Sequence, residues 1–211
     1  MRVPPRPAAA LLAGLGLAAC FRGALPAREL YQLRPQPAAA PPAVADAAAA
    51  PAIAVEAYAT PGVYADPQIV YRVGDAQYGT YPTREWAVPL GTMLATRTAE
   101  ALRAALPGAE RRVHDGPLEG PARGLVWRGT VREFEEVDRG RQVSAAVHLD
   151  ARLVRASDDS TVWQGSARAE RAVTPSTSMP AVVDSLAAAA GASIAELVRA
   201  ASPAIRAAGR R

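Results

Sequence analysis

From Val143 to Leu153 every second residue is apolar: Val143, Ala145, Val147, Leu149, Ala151 and Leu153. That repeat is the period of a strand and is out of step with the 3.6-residue period of a helix. It also demands a neighbouring layer, because a sheet with one apolar face must bury it. The flanking segments follow the same rule. Leu125, Trp127, Gly129 and Val131 share one face of a second strand, and Trp163, Gly165, Ala167 and Ala169 one face of a third. Asp138-Arg139-Gly140 and Ser157-Asp158-Asp159 supply the turns. The intervening positions are polar, among them Arg128, Arg132, His148, Asp150, Arg152, Gln164 and Arg168. The pattern therefore predicts an antiparallel meander with one buried and one wet face.

Two helices are predicted to cover the buried face. Leu90, Met93, Leu94, Ala101, Leu102, Ala105 and Leu106 recur at three- and four-residue spacing. Pro89 fits the first turn of such a helix, which places its start near Trp86, and Pro107-Gly108 ends it. A second helix starts near Ser178 to Pro180, carries the stripe Val182, Val183, Leu186, Ala190, Ile194, Leu197 and Val198, and stops before Pro203. Shorter strands are expected at Leu30–Leu33, Ile53–Tyr58, Ile69–Arg72, Gln77–Tyr81 and Arg112–His114. The expected fold is α+β: a two-layer sandwich of a largely antiparallel sheet with two amphipathic helices on one face. Residues 30–202 form its single domain, and 203–211 are expected to be a flexible tail. Half of the 211 residues are apolar and only 5% aromatic, so alanine fills much of the core and the helices can approach the sheet closely.

The amino terminus carries a different signal. Arg2 and Arg6 precede a short apolar run, Ala8 to Leu17, that is too short to span a bilayer. Leu17-Ala18-Ala19-Cys20 follows, and it looks like the lipobox of bacterial lipoproteins. The chemistry requires a thiol, since the Cys20 sulfur takes a diacylglycerol before cleavage and the new terminus is then acylated, for example with palmitate. Two or more chains suffice for stable anchoring. The bland alternative is an ordinary cleaved signal beside a fortuitous cysteine, but Cys20 is the single cysteine of the chain. Residues 1–19 are thus read as a lipoprotein signal and 20–29 as the lipidated cysteine and its tether. Residues 35–51, rich in Ala and Pro, form a spacer within the domain. Phe21, not an acid, follows the cysteine, which favours the outer membrane over the inner.

Much chemistry is disfavoured by composition. One cysteine and two histidines leave no internal disulfide and little for a metal site. No other stretch is read as a membrane span. The formal charge is +4, every basic residue is arginine, and the arginines are interleaved with acids, so no nucleic-acid partner is implied. No nucleophile elbow or phosphate-binding glycine loop appears. His148 and Asp150 fall on one strand face and suit a solvated polar pair better than an acid–base couple, and His114 beside Asp115 suits a loop pair. Glu133, Glu135 and Glu136 are expected to be a solvated strand end.

Most aromatics crowd into residues 58–86: Tyr58, Tyr64, Tyr71, Tyr78, Tyr81 and Trp86, with Arg72 and Arg84 among them. This composition suits an interface, although strands packing their own aromatics account for it equally. The run Tyr58-Ala59-Thr60-Pro61-Gly62-Val63-Tyr64-Ala65-Asp66-Pro67-Gln68-Ile69-Val70-Tyr71-Arg72 resembles a signature of the ABC-type transport auxiliary lipoprotein family, relatives of paraquat-inducible protein C. Arg84-Glu85-Trp86-Ala87-Val88-Pro89-Leu90 resembles that family's entry into its first helix, and Tyr31-Gln32-Leu33 its first strand. With the lipobox, meander and final helix in order, the resemblance covers nearly the whole chain; the long Ala/Pro spacer departs from it.

The resemblance implies a periplasmic, lipid-anchored, non-catalytic docking subunit. Its partners would be an ABC transporter or proteins with MCE (mammalian cell entry) domains that move phospholipids or other hydrophobic compounds between membranes. A homo-oligomer is compatible with that role, and no cofactor is implied beyond the lipid on Cys20. The candidate partner-binding residues are Tyr64, Tyr71, Arg72, Arg84 and Trp86. Two other classes compete: an independent periplasmic lipid carrier, which needs an apolar cavity, and an envelope hydrolase built on His148 and Asp150.

Overall fold

The alternating segments are the spine of the molecule. A computed structural model describes residues 27–34, 51–106, 113–116, 124–174 and 178–209. Its elements are β1 (Glu29–Tyr31), β2 (Ile53–Val55), a 3-10 turn (Gly62–Tyr64), β3 (Gln68–Val73), β4 (Gln77–Trp86), α1 (Leu90–Ala105), β5 (Val113–Asp115), β6 (Leu125–Asp138), β7 (Val143–Arg155), β8 (Thr161–Ala172) and α2 (Met179–Gly209). The expected lipobox Leu17, Ala18, Ala19 and Cys20, the spacer 35–50 and Pro107-Gly108 lie outside the described residues.

All eight strands form one sheet. The antiparallel ladders β6–β7, β7–β8 and β3–β4 are its longest, as the alternation requires. Beyond β6 the sheet divides. The start of β6 pairs in parallel with β2, and β2 with β5. The end of β6 pairs in parallel with β3, which leads through β4 to a parallel β1. These short parallel pairings join segments far apart in sequence, and no local pattern announces them. The α+β class and the two helices on the sheet are as expected.

One irregularity in β6 decides the chemistry of both faces. The register slips between Val131 and Glu133. Leu125, Trp127 and Val131 face the helices before the slip; Phe134, opposite Val147, faces them after it. A bulge of this kind inserts one residue and reverses the alternation beyond it. Glu136 is thereby turned to the helix side, while Glu135 and Val137 fall on the outer face.

The core joins these layers. Trp127 is fully buried and stacks on Trp163 with ring centroids 5.6 Å apart. Its indole Nε1 donates to Tyr58 Oη at 3.0 Å. Thr98 donates its hydroxyl to the Leu94 carbonyl at 2.8 Å, so Tyr58 donates to Thr98 Oγ1, also 2.8 Å away. This relay ties β6 to α1, and burial pushes the Tyr58 hydroxyl up to about 12. Gly129 makes room for it, since a Cβ there would lie 2.2 Å from the Tyr58 ring.

Two helix boundaries depart from expectation. β4 extends through Trp86, whose N–H donates to the Pro67 carbonyl at 2.7 Å, so α1 starts at Leu90 with Pro89 as its cap. α2 does not stop before Pro203; it runs on to Gly209 with Pro203 inside. Residues 203–209 are therefore helix, not a flexible tail. Proline removes one backbone donor, but Ile205 beyond it is fully buried and Ala208 packs on the core, so packing holds the final turns. α2 has 31 residues and an 18-residue stretch of mean hydropathy 1.6, so it is long and apolar enough to cross a membrane, contrary to the sequence reading. Its apolar stripe is instead packed on β6, β7 and β8.

Candidate docking surface

The helices lie mainly over one half of the sheet. α2 packs on β6, β7 and β8, and α1 on β2 and β5. The β3–β4 hairpin, with β1 on its far side, is left at the margin. Among the described residues the exposed large apolar side chains are Leu30 (63%), Val63 (40%), Val73 (42%) and Tyr78 (48%). They belong to β1, the 3-10 turn, β3 and β4, which together make one lobe. Val73 and Tyr78 flank the β3–β4 turn, whereas Leu30 pairs beside Glu85 towards the far end of β4.

The five sequence candidates divide between the lobe's interior and its surface. On the outer face, Arg72 Nε donates to Glu135 Oε1 at 2.6 Å, and the two side chains are 8% and 0% exposed. The Tyr64 hydroxyl donates to the other carboxylate oxygen, Oε2. Arg72 Nη1 reaches the Gly74 carbonyl at 3.1 Å, and the guanidinium sits 5.9 Å from the Tyr78 ring. Burial, then the Glu135 carboxylate, pushes the Tyr64 hydroxyl far above its ordinary range. Tyr64 and Arg72 thus clamp the 3-10 turn, β3 and β6 together. Glu135 is the opposite of the expected solvated strand end.

On the helix side, the Tyr71 and Tyr81 rings meet at 5.0 Å. The Tyr81 hydroxyl donates to Glu136 Oε2 at 2.9 Å, and the Arg84 guanidinium lies 5.0 Å over the Tyr81 ring. Glu136 is also buried, and desolvation raises its carboxyl above the usual range despite the Tyr81 hydrogen bond. Gly79 leaves room for this ring: a Cβ would lie 2.4 Å from the Tyr71 ring and hydroxyl, so the half-exposed ring would have to shift. Tyr71 and Arg84 remain half-exposed and available to a partner. Trp86 is not. It is 6% exposed and packs edge-on against Phe134, with centroids 5.8 Å apart. Tyr71 and Arg84 are thus half-exposed on the helix side, Tyr78 and Leu30 are exposed on the outer face, and Tyr64, Arg72 and Trp86 are buried between them. The sequence did not reveal Glu136 as buried, because the bulge that turns it is invisible in the alternation, nor Glu135, because the Tyr64 and Arg72 that cover it come from distant segments.

Across the sheet, His148 Nε2 lies 2.7 Å from Ser166 Oγ and 3.9 Å from Asp150 Oδ1. A hydrolytic triad orients its histidine through the ring nitrogen opposite the serine. Here the carboxylate approaches the same nitrogen, and Arg132 Nε already holds it at 2.6 Å. The group is a cross-strand polar cluster.

Comparisons with known proteins bear on the whole chain. The family model for the ABC-type transport auxiliary lipoprotein component matches residues 31–207. No curated protein matches. A crystal structure of a Xanthomonas campestris protein has the same fold, at a TM-score of 0.65 and 20% identity, covering 87% of this chain and 100% of its own. The crystal structure of an uncharacterized protein is similar at a TM-score of 0.64 and 21% identity, covering 82% of this chain and 98% of its own. With the family match spanning nearly all of the described fold, this chain belongs to the ABC-type transport auxiliary lipoprotein component family.

Proposed function

We propose that this protein is a non-catalytic docking subunit of an ABC- or MCE-type transport system, held at the periplasmic side of the envelope by lipid on Cys20. The observation that carries this reading is that the exposed large apolar side chains among the described residues all lie on β1, the 3-10 turn, β3 and β4, the segment that also carries the half-exposed Tyr71 and Arg84. Tyrosine and arginine on a rigid, partly apolar surface are the residues that dominate protein interfaces. The buried ion pair beneath them holds the lobe in one shape, which lowers the ordering cost of association. The cargo in this reading is a phospholipid or another hydrophobic compound, the anchor lies in the outer membrane, and several copies assemble around the conduit.

The test is a mild-detergent pull-down of the tagged full-length protein from its native membranes, with mass spectrometry of proteins and lipids. Recovery of an MCE-domain or ABC component establishes the docking role. Recovery of the protein alone with stoichiometric lipid replaces it with the independent carrier.

A further inference from the structure

The face of the sheet turned away from the helices carries an open groove of about 700 Å³ across β6, β7 and β8. Its floor is set by register. Arg128 stands directly opposite Arg152, and Arg152 directly opposite Gln164. Along the same face, Asp150 lies between Thr130 and Ser166. Like charges directly opposite one another on neighbouring strands destabilise a sheet. A guanidinium pair placed there calls for an anion.

Half of that demand is met within the protein. Arg128 Nε donates to Glu56 Oε2 at 3.1 Å and its Nη1 to Asp159 Oδ1 at 2.5 Å. Asp150 is committed to Arg132. Arg152 is exposed, and among the described residues no ion pair reaches it. Beside it stand the remaining donors of Arg128, the Gln164 amide and the Thr130 hydroxyl. Guanidinium donors match the oxygens of phosphate closely. Donors arriving from three strands suit a tetrahedral group better than a planar carboxylate, which offers two oxygens in one plane.

We propose that this groove binds a phosphoryl oxyanion, with Arg152 as its principal charge contact and Arg128, Gln164 and Thr130 as additional donors. The site lies on β6–β8, apart from the docking lobe, and does not depend on the transport reading. The phosphoryl group has two sources, a free phosphate or the phosphodiester of a lipid headgroup.

The test uses the full chain in non-ionic detergent at constant ionic strength. Inorganic phosphate and glycerophosphoglycerol, the acyl-free headgroup of phosphatidylglycerol, are titrated separately by calorimetry. The wild-type chain is expected to bind at least one of them, and Arg152→Gln to weaken that binding at least tenfold without lowering the melting temperature. Preference for the phosphodiester assigns the headgroup source, and preference for phosphate the free ion. Gln164→Ala, which removes one neutral donor, is expected to weaken binding about threefold. No heat with either ligand, or binding that Arg152→Gln leaves intact, overturns the proposal.

Discussion

Glu135 is a carboxylate without access to water, held by Arg72 on one oxygen and Tyr64 on the other. Removing one partner of such a pair leaves a buried charge uncompensated, which typically costs about 3–5 kcal/mol. Arg72→Leu is expected to lower unfolding stability by about that amount in urea titrations at pH 7, whereas replacing Arg72 and Glu135 together with leucine should restore most of it. Glu136 behaves differently, because burial raises its pKa while the Tyr81 hydroxyl opposes the rise. The folded state then binds more protons than the unfolded state just above the ordinary carboxyl pKa, so this group's contribution falls as pH rises through the window up to its raised value. Glu136→Gln keeps an acceptor for Tyr81 and removes the charge. It should raise stability at pH 7, with the gain disappearing as pH falls below the ordinary carboxyl range. A loss at pH 7 instead would show that the carboxylate is stabilising as it stands. The solvated assignment failed for a different reason at each glutamate: the bulge turns Glu136 to the helix side, whereas Glu135 on the outer face is covered by Arg72 and Tyr64 from distant segments.

Among the elements, β6, β7 and β8 were legible because period-two alternation runs the length of β7 and up to the bulge in β6, with one face of the meander turned to the helices. Their glycines are less legible. Gly129 is part of the apolar stripe, yet its role is to admit the Tyr58 ring. Gly129→Ala is expected to cost about 1–3 kcal/mol by overpacking, seen as a lower melting temperature with the secondary-structure content retained. α2 shows propensity overridden by packing. Local rules end a helix near proline, but the buried Ile205 and the contact of Ala208 with the core carry the helix past Pro203. Pro203→Ala restores a donor toward the Arg199 carbonyl and should stabilise the protein by about 1 kcal/mol, a fraction of the full helix-interior proline penalty. A destabilised variant would mean that the fixed backbone angle of the proline helps to seat the last turns.

At the scale of the molecule, the helices cover one half of the sheet and leave the β1–β3–β4 lobe at the margin. Combining Leu30→Ser, Tyr71→Ser and Tyr78→Ser is expected to reduce recovery of transporter components at least tenfold in pull-downs, with the melting temperature held within a few degrees. Trp86→Ala should act otherwise, costing about 3–5 kcal/mol as a core truncation and lowering the amount of folded protein. Recovery unchanged by the triple variant would remove the lobe from the interface. By itself the sequence determined the α+β class, the meander and its turns, the two amphipathic stripes and the aromatic crowding of residues 58–86, because each is written as a local period or composition. The tertiary structure alone decided the parallel insertion of β1, β2 and β5, the burial of Glu135 and Glu136, and the division of the aromatic segment into foundation and surface. Those outcomes depend on which distant segment lies alongside, and on a one-residue slip in register that reverses every side chain beyond it.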